Sequence, residues 1–110
     1  MPATPCTDPC PIQTAIALIQ GKWTPQILRA LSAGTLRFGQ LQRALPGVSA
    51  KVLSQRLREL EGEGLIVRTV LPCTPPAVEY QLSASGGELV TLLLGLYDFG
   101  ARQLHTQAAA

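Results

Sequence analysis

The sequence predicts a mainly α chain with a small β ribbon, an α+β arrangement in which helices dominate. Three observations carry that prediction. Apolar residues recur at helical spacing through residues 11–63 and again after residue 83. The period changes to alternation only between residues 66 and 82. Helix-start and helix-stop residues also punctuate the segments at the right places. A chain of 110 residues with 46% apolar content supports one domain with one core, small enough for the subunit to share core with a partner.

The elements follow in order. Residues 1–10, rich in proline, read as an N-terminal arm. Pro11 suits a first helical turn, and "IQTAIALIQG" places Ile12, Ala15, Ile16 and Ile19 on one side before Gly21 stops it. In "TPQILRALSAG", Thr24 caps, Pro25 starts the helix, Ile27, Leu28 and Leu31 point inward, and Gly34 terminates. A brief extended piece at Leu36 to Phe38 leads into a helix with Leu41 and Leu45, closed by Pro46 and Gly47. Ser49 caps the next helix, residues 50–63. "LIVRTVL" and "AVEYQL" then read as strands, with Val78, Tyr80 and Leu82 alternating with Glu79 and Gln81, and "PCTPP" makes a stiff tip between them. The last helix starts near Ser83 or Ser85, where Ser85 and Glu88 fit a capping box, and runs to about Leu104, leaving 105–110 as a flexible tail. This order, spanning 11–104, is that of a winged helix-turn-helix with additional N- and C-terminal dimerisation helices.

Charge is unevenly laid out. Residues 22–68 hold eight of the nine Lys and Arg against three acids, a net of +5, while the first 21 residues carry −1 and residues 69–110 carry −2. A whole-chain net of +2 hides that basic middle, the footprint of a nucleic-acid partner. No run approaches the roughly 18 apolar residues that span a bilayer, and the first dozen residues lack the features of a signal peptide. A cytoplasmic protein with no membrane association is the expectation.

"SAKVLSQRLRELEGEGLIV", residues 49–67, concentrates the functional signal. At about 100° per residue, Leu53, Leu57 and Leu60 share one face while Lys51, Gln55 and Arg58 share the opposite one. The acids Glu59, Glu61 and Glu63 all lie toward the C-terminal end, so the end that enters a major groove is free of acids. Ser49, Ala50, Lys51, Ser54, Gln55 and Arg58 are the residues expected to face DNA, with Gln suited to adenine, Lys and Arg to guanine or phosphate, and the serines to phosphate. Lys22, Arg37 and Arg68 are further phosphate candidates, whereas Trp23 reads as core and Arg56, at helical spacing from Glu59 and Glu63, as structural. The rival is a protein-docking helix-turn-helix whose charged face is only solvated.

The phrases "CPIQTAIALIQGKWTPQILRAL", "LRFGQLQRALPGVSAKVLSQRLRELEGEGLIVRTV" and "PPAVEYQLSASG" with the closing aromatic helix resemble the HxlR-type branch of the MarR-like winged-helix regulators. The resemblance covers about residues 10–104. It implies a homodimeric transcriptional regulator of operator DNA, and it implies that Cys10, in the Cys-Pro start, senses oxidants, quinones or aldehydes. One departure stands out: family members often carry a basic residue after the two wing prolines, where this chain has Ala77, so the wing is expected to contribute less affinity.

In a cytoplasmic setting Cys6, Cys10 and Cys73 are expected to be reduced at rest. Cys10 precedes Pro11 at a helix start, where the dipole favours thiolate; chemistry alone leaves sensing and simple packing level. Cys73 of the other subunit, or Cys6, is the expected oxidation partner. A zinc site from Cys6, Cys10, Cys73 and His105 lacks close ligand pairs, so no metal or other cofactor is expected. No base stands beside a nucleophile, which speaks against an enzyme.

The final helix is apolar around nearly its whole circumference, more than one small domain can cover. Ile12, Ile16, Leu89, Leu93, Leu96, Tyr97 and Gly100 are the expected dimer interface, with two reading helices about 34 Å apart. A regulator whose dimer pocket binds a small ligand, its cysteines incidental, stays open as an alternative.

Overall fold

The structure, a computed structural model, describes residues 9–109. The chain forms α1 (Pro11–Ile19), α2 (Thr24–Leu31), β1 (Leu36–Arg37), α3 (Phe38–Ala44), α4 (Ala50–Gly62), β2 (Ile66–Leu71), β3 (Ala77–Leu82) and α5 (Ala84–Ala109). The strands make an antiparallel sheet in the order β1-β3-β2, so the predicted ribbon gains the two-residue β1 as a third strand. Leu36 pairs with Tyr80 and Arg37 with Glu79 on one side of β3; Ile66 to Leu71 pair with Leu82 to Ala77 on the other.

The core lies where α2, α3, α4 and the start of α5 meet the base of the ribbon. Ile27, Leu28, Leu41 and Leu53 are fully buried, and Leu31, Leu45, Val48, Leu57, Leu60, Leu65, Ile66, Leu89 and Val90 complete the cluster. Burying each of these side chains stabilises the fold by about 1.5–3 kcal/mol before entropy is counted. Pro11 occupies the first turn of α1 as expected, yet that helix buries none of its residues.

Helix boundaries depart from expectation in three places. Trp23 rather than Thr24 is the cap position of α2, with a left-handed φ of 83°, and Thr24 is buried one position inside. Ser83, not Ser85, caps α5: its Oγ accepts the Gly86 N–H at 3.0 Å and donates to the Gly64 carbonyl at 2.6 Å, so the Ser85–Glu88 box is displaced by a tertiary one. The final helix continues to Ala109, so residues 105–109 are helical where a tail was expected. The reason for Gly86 lies in the same corner. A Cβ there would meet the Leu65 carbonyl oxygen at 2.0 Å, so α5 begins in van der Waals contact with the chain entering β2.

Candidate nucleic-acid interface

Ser49 starts α4 in extended conformation, and its Oγ accepts the Val52 N–H at 3.1 Å. That bond satisfies one of the N–H groups that the first turn of the helix leaves without a backbone partner. Burial of Leu53, Leu57 and Leu60 against the core fixes the helix rotation, and Ala50, Lys51, Gln55 and Arg58 are consequently exposed on the opposite side, with Ser54 half-buried at the edge. Among the described residues neither Lys51 nor Arg58 has a carboxylate within ion-pair distance; the ion pair of this helix is Arg56–Glu59 at 3.1 Å. Two cations outside any such ion pair therefore flank Gln55 on the outer face.

The sequence set Glu59 at helical spacing from Arg56 and toward the C-terminal end, with no link to the outer face. In the structure it reaches back: its Oε1 accepts from Gln55 Nε2 at 3.4 Å and from Arg56 Nη1 at 3.2 Å. The i,i+4 spacing of Gln55 and Glu59 is the signal that marks such a pair in sequence. Glu63, the other partner foreseen for Arg56, forms no ion pair among the described residues.

The outlying cations are placed separately. Lys22 holds its ammonium 5.5 Å from the centre of the Trp23 ring, and its carbonyl accepts from Arg56 Nε at 3.4 Å, which brings the α1–α2 turn alongside α4. Trp23 packs partly buried against the core. Arg37 caps α3, its N–H donating to Gln40 Oε1 at 2.8 Å. Arg37 stands opposite Glu79, and Arg68 opposite Tyr80. Because neighbouring positions on a strand point to opposite sides, the two arginines occupy opposite faces of the wing and do not form one patch. Arg68 shares its face with Ile66, Tyr80 and Leu82, and is exposed.

Cys10 sits at the cap position of α1, as the sequence suggested, and in this structure it is disulfide-bonded. Cys73 is a free thiol at the exposed wing tip, donating to the Pro75 carbonyl at 3.2 Å, so it is not the partner within this subunit. Cys6 lies outside the described residues.

The surface expected to pair two subunits divides in two. Leu89 is buried in its own subunit and Leu93 packs against the same core, so these two serve the monomer. Ile12 (69% exposed), Ile16 (44%), Leu96 (56%) and Tyr97 (52%) are left bare, together with Leu92, Leu94, Phe99 and Leu104; Gly100 is half-buried. A hollow of about 440 Å³ between α2 and α5, lined by Ile19, Pro25, Val90, Leu93, Leu94 and Leu96, opens on this surface. The Arg29 guanidinium stacks 4.4 Å over the Tyr97 ring at its edge.

A helix-turn-helix built from α3 and α4, a β2–β3 wing and a cation-bearing outer face on α4 define the class: a winged helix-turn-helix DNA-binding protein. The chain belongs to the HxlR-like helix-turn-helix family, whose model matches residues 18–108. It is 43% identical over 109 residues to an uncharacterised HTH-type transcriptional regulator of Synechocystis, a match covering 96% of this chain and 81% of the relative. A crystal structure from Enterococcus faecalis assigned to the MarR family of transcriptional regulators superposes with a TM-score of 0.84 at 35% identity, covering all of both chains. The redox regulator HypR in its reduced form superposes with a TM-score of 0.85 at 29% identity, covering 91% of this chain and 99% of HypR. The protein is a transcriptional regulator and not an enzyme. No helix among the described residues is long and apolar enough to cross a membrane.

Proposed function

We propose that the protein is a cytoplasmic homodimeric repressor that reads operator DNA with the N-terminal half of α4 and responds to oxidants through Cys10. The observation that carries the reading is the rotation of α4: buried leucines on one side force Lys51, Gln55 and Arg58 outward, and among the described residues neither cation is in an ion pair. Gln55 and Arg58 contact base edges, Lys51, Ser49 and Ser54 contact phosphates, and Ala50 allows close approach. Lys22, Arg37 and Arg68 add phosphate contacts to the flanks. With Arg37 and Arg68 on opposite wing faces and Ala77 behind the tip, the wing supplies a minor share of the affinity.

The bare surface of Ile12, Ile16, Leu96 and Tyr97 supports the dimer, and the hollow beside it reads as part of that shared layer in preference to a small-ligand site. The disulfide at Cys10 supports the sensing role, as does the similarity to a redox regulator. In the cell the reduced chain would hold the operator. Oxidation of two thiols, which lose two protons and two electrons to the oxidant, would tie Cys10 to Cys6 or to Cys73 of the partner subunit and change the spacing of the reading helices. Reduced wild type, Cys6→Ser, Cys10→Ser and Cys73→Ser proteins treated with diamide test this. Operator affinity should fall in the wild type and stay constant in Cys10→Ser. An equal fall in Cys10→Ser removes Cys10 from the mechanism, and a non-reducing gel tells which second cysteine is used.

A further inference from the structure

Arg56 stands on the flank of α4, between its buried and its DNA-facing sides, and is half-buried. Its guanidinium makes a fork: Nε donates to the Lys22 carbonyl at 3.4 Å, and Nη1 to both oxygens of Glu59 at 3.2 and 3.1 Å. The segment it holds is unusual. Gly21 and Trp23 both have left-handed φ, 99° and 83°, with Lys22 between them, and a left-handed conformation at a tryptophan persists only where surroundings impose it. Arg56 is part of those surroundings: a Cβ on Gly21 would lie 3.8 Å from its Nε.

We infer that Arg56 is a positioning residue for DNA binding: by clamping the Lys22 carbonyl to α4 it fixes the turn from which Lys22, its ammonium resting 5.5 Å from the centre of the Trp23 ring in the free protein, reaches the phosphate strand beside the groove. This rests on the DNA-reading face proposed above. Glu59 supports the clamp from the same helix and, through Gln55, links it to that face. The arrangement also gives the acid at position 59 a reason to sit one turn beyond Gln55: the carboxylate is occupied by two donors and presents little free charge to DNA.

The experiment is a double-mutant cycle on affinity for a duplex selected from a random pool by the wild-type protein, over a salt series. Arg56→Gln and Lys22→Gln should each weaken binding several-fold and each lower the salt slope by about 1, the signature of one lost phosphate contact. The double variant should be no weaker than Lys22→Gln alone, because Arg56 acts through Lys22. Additive losses would overturn the inference, since they would mean that Arg56 touches DNA itself or merely supports the fold. Arg56→Lys keeps the charge and stem, and so guards against misfolding. It cannot hold both partners, and should lose affinity only when Lys22 is present; wild-type affinity for Arg56→Lys would likewise overturn the inference. Failure of the wild type to select any duplex would instead sink the DNA-reading proposal.

Discussion

Gln55 and Arg58 differ in how their side chains are held. Gln55 is oriented by Glu59 through its amide nitrogen, which leaves the carbonyl oxygen unused until the chain approaches a base. Adenine recognition by both amide groups then requires exchange of the Glu59 bond for a base contact, so part of the gain is returned. Arg58 is exposed and without an acid partner among the described residues, and exchanges only water. Arg58→Ala is therefore expected to cost operator binding more than Gln55→Ala, both within about 1–3 kcal/mol. Fluorescence anisotropy on a labelled operator, with circular dichroism as the control for folding, measures both. Equal and negligible losses would show that another face meets DNA. The outward direction of these side chains was legible from the leucine spacing alone. The Glu59 and Arg56 bonds were half legible: their spacing along the helix was visible, but the Lys22 carbonyl is 34 residues away in sequence and enters only through packing.

Among the elements, the corner between β2 and α5 shows what pattern reading misses. Two serines offered themselves as caps, and local chemistry favoured Ser85 because Glu88 follows three residues later. Ser83 prevails because its hydroxyl also reaches the Gly64 carbonyl, joining the end of α4 to the start of α5. Gly86 sits one turn inside the helix with Leu65 against it. Gly86→Ala, which would improve helix propensity in isolation, should instead destabilise the protein by about 1–3 kcal/mol, because a methyl group 2.0 Å from a backbone oxygen forces the corner apart. Urea denaturation would register it as a lower midpoint; an unchanged or raised midpoint would mean that the corner relaxes freely. The α3–α4 pair and the wing were legible, since period, caps and turn residues agree there. Strand β1 was visible only as an extended approach to α3, since two residues carry no alternation and are recruited by pairing with β3.

At the scale of the whole molecule, α5 serves two layers. Leu89, Val90 and Leu93 close the subunit's own core, while Leu92, Leu94, Leu96, Tyr97 and Phe99 remain uncovered. Counting apolar residues in the sequence showed that the helix has more apolar surface than one domain can cover, but could not say which leucines faced inward, because they follow one another around the axis. The distinction sets the choice of variant: Leu93→Glu would damage the monomer as well, whereas Leu96→Glu should give a folded monomer in analytical ultracentrifugation. A Leu96→Glu protein that sediments as a dimer would move the interface elsewhere. The central claim is that α4, presented by a dimer, reads DNA with its Lys51, Gln55 and Arg58 face. It is tested most directly by measuring wild-type and Lys51→Ala/Gln55→Ala/Arg58→Ala affinities for a wild-type-selected duplex and a scrambled one from low to high salt. The account predicts steep weakening with salt for the wild type, clear preference for the selected duplex, and loss of that preference in the triple variant while it stays folded and dimeric. Undiminished preference in the triple variant, or wild-type binding that ignores salt, would contradict it.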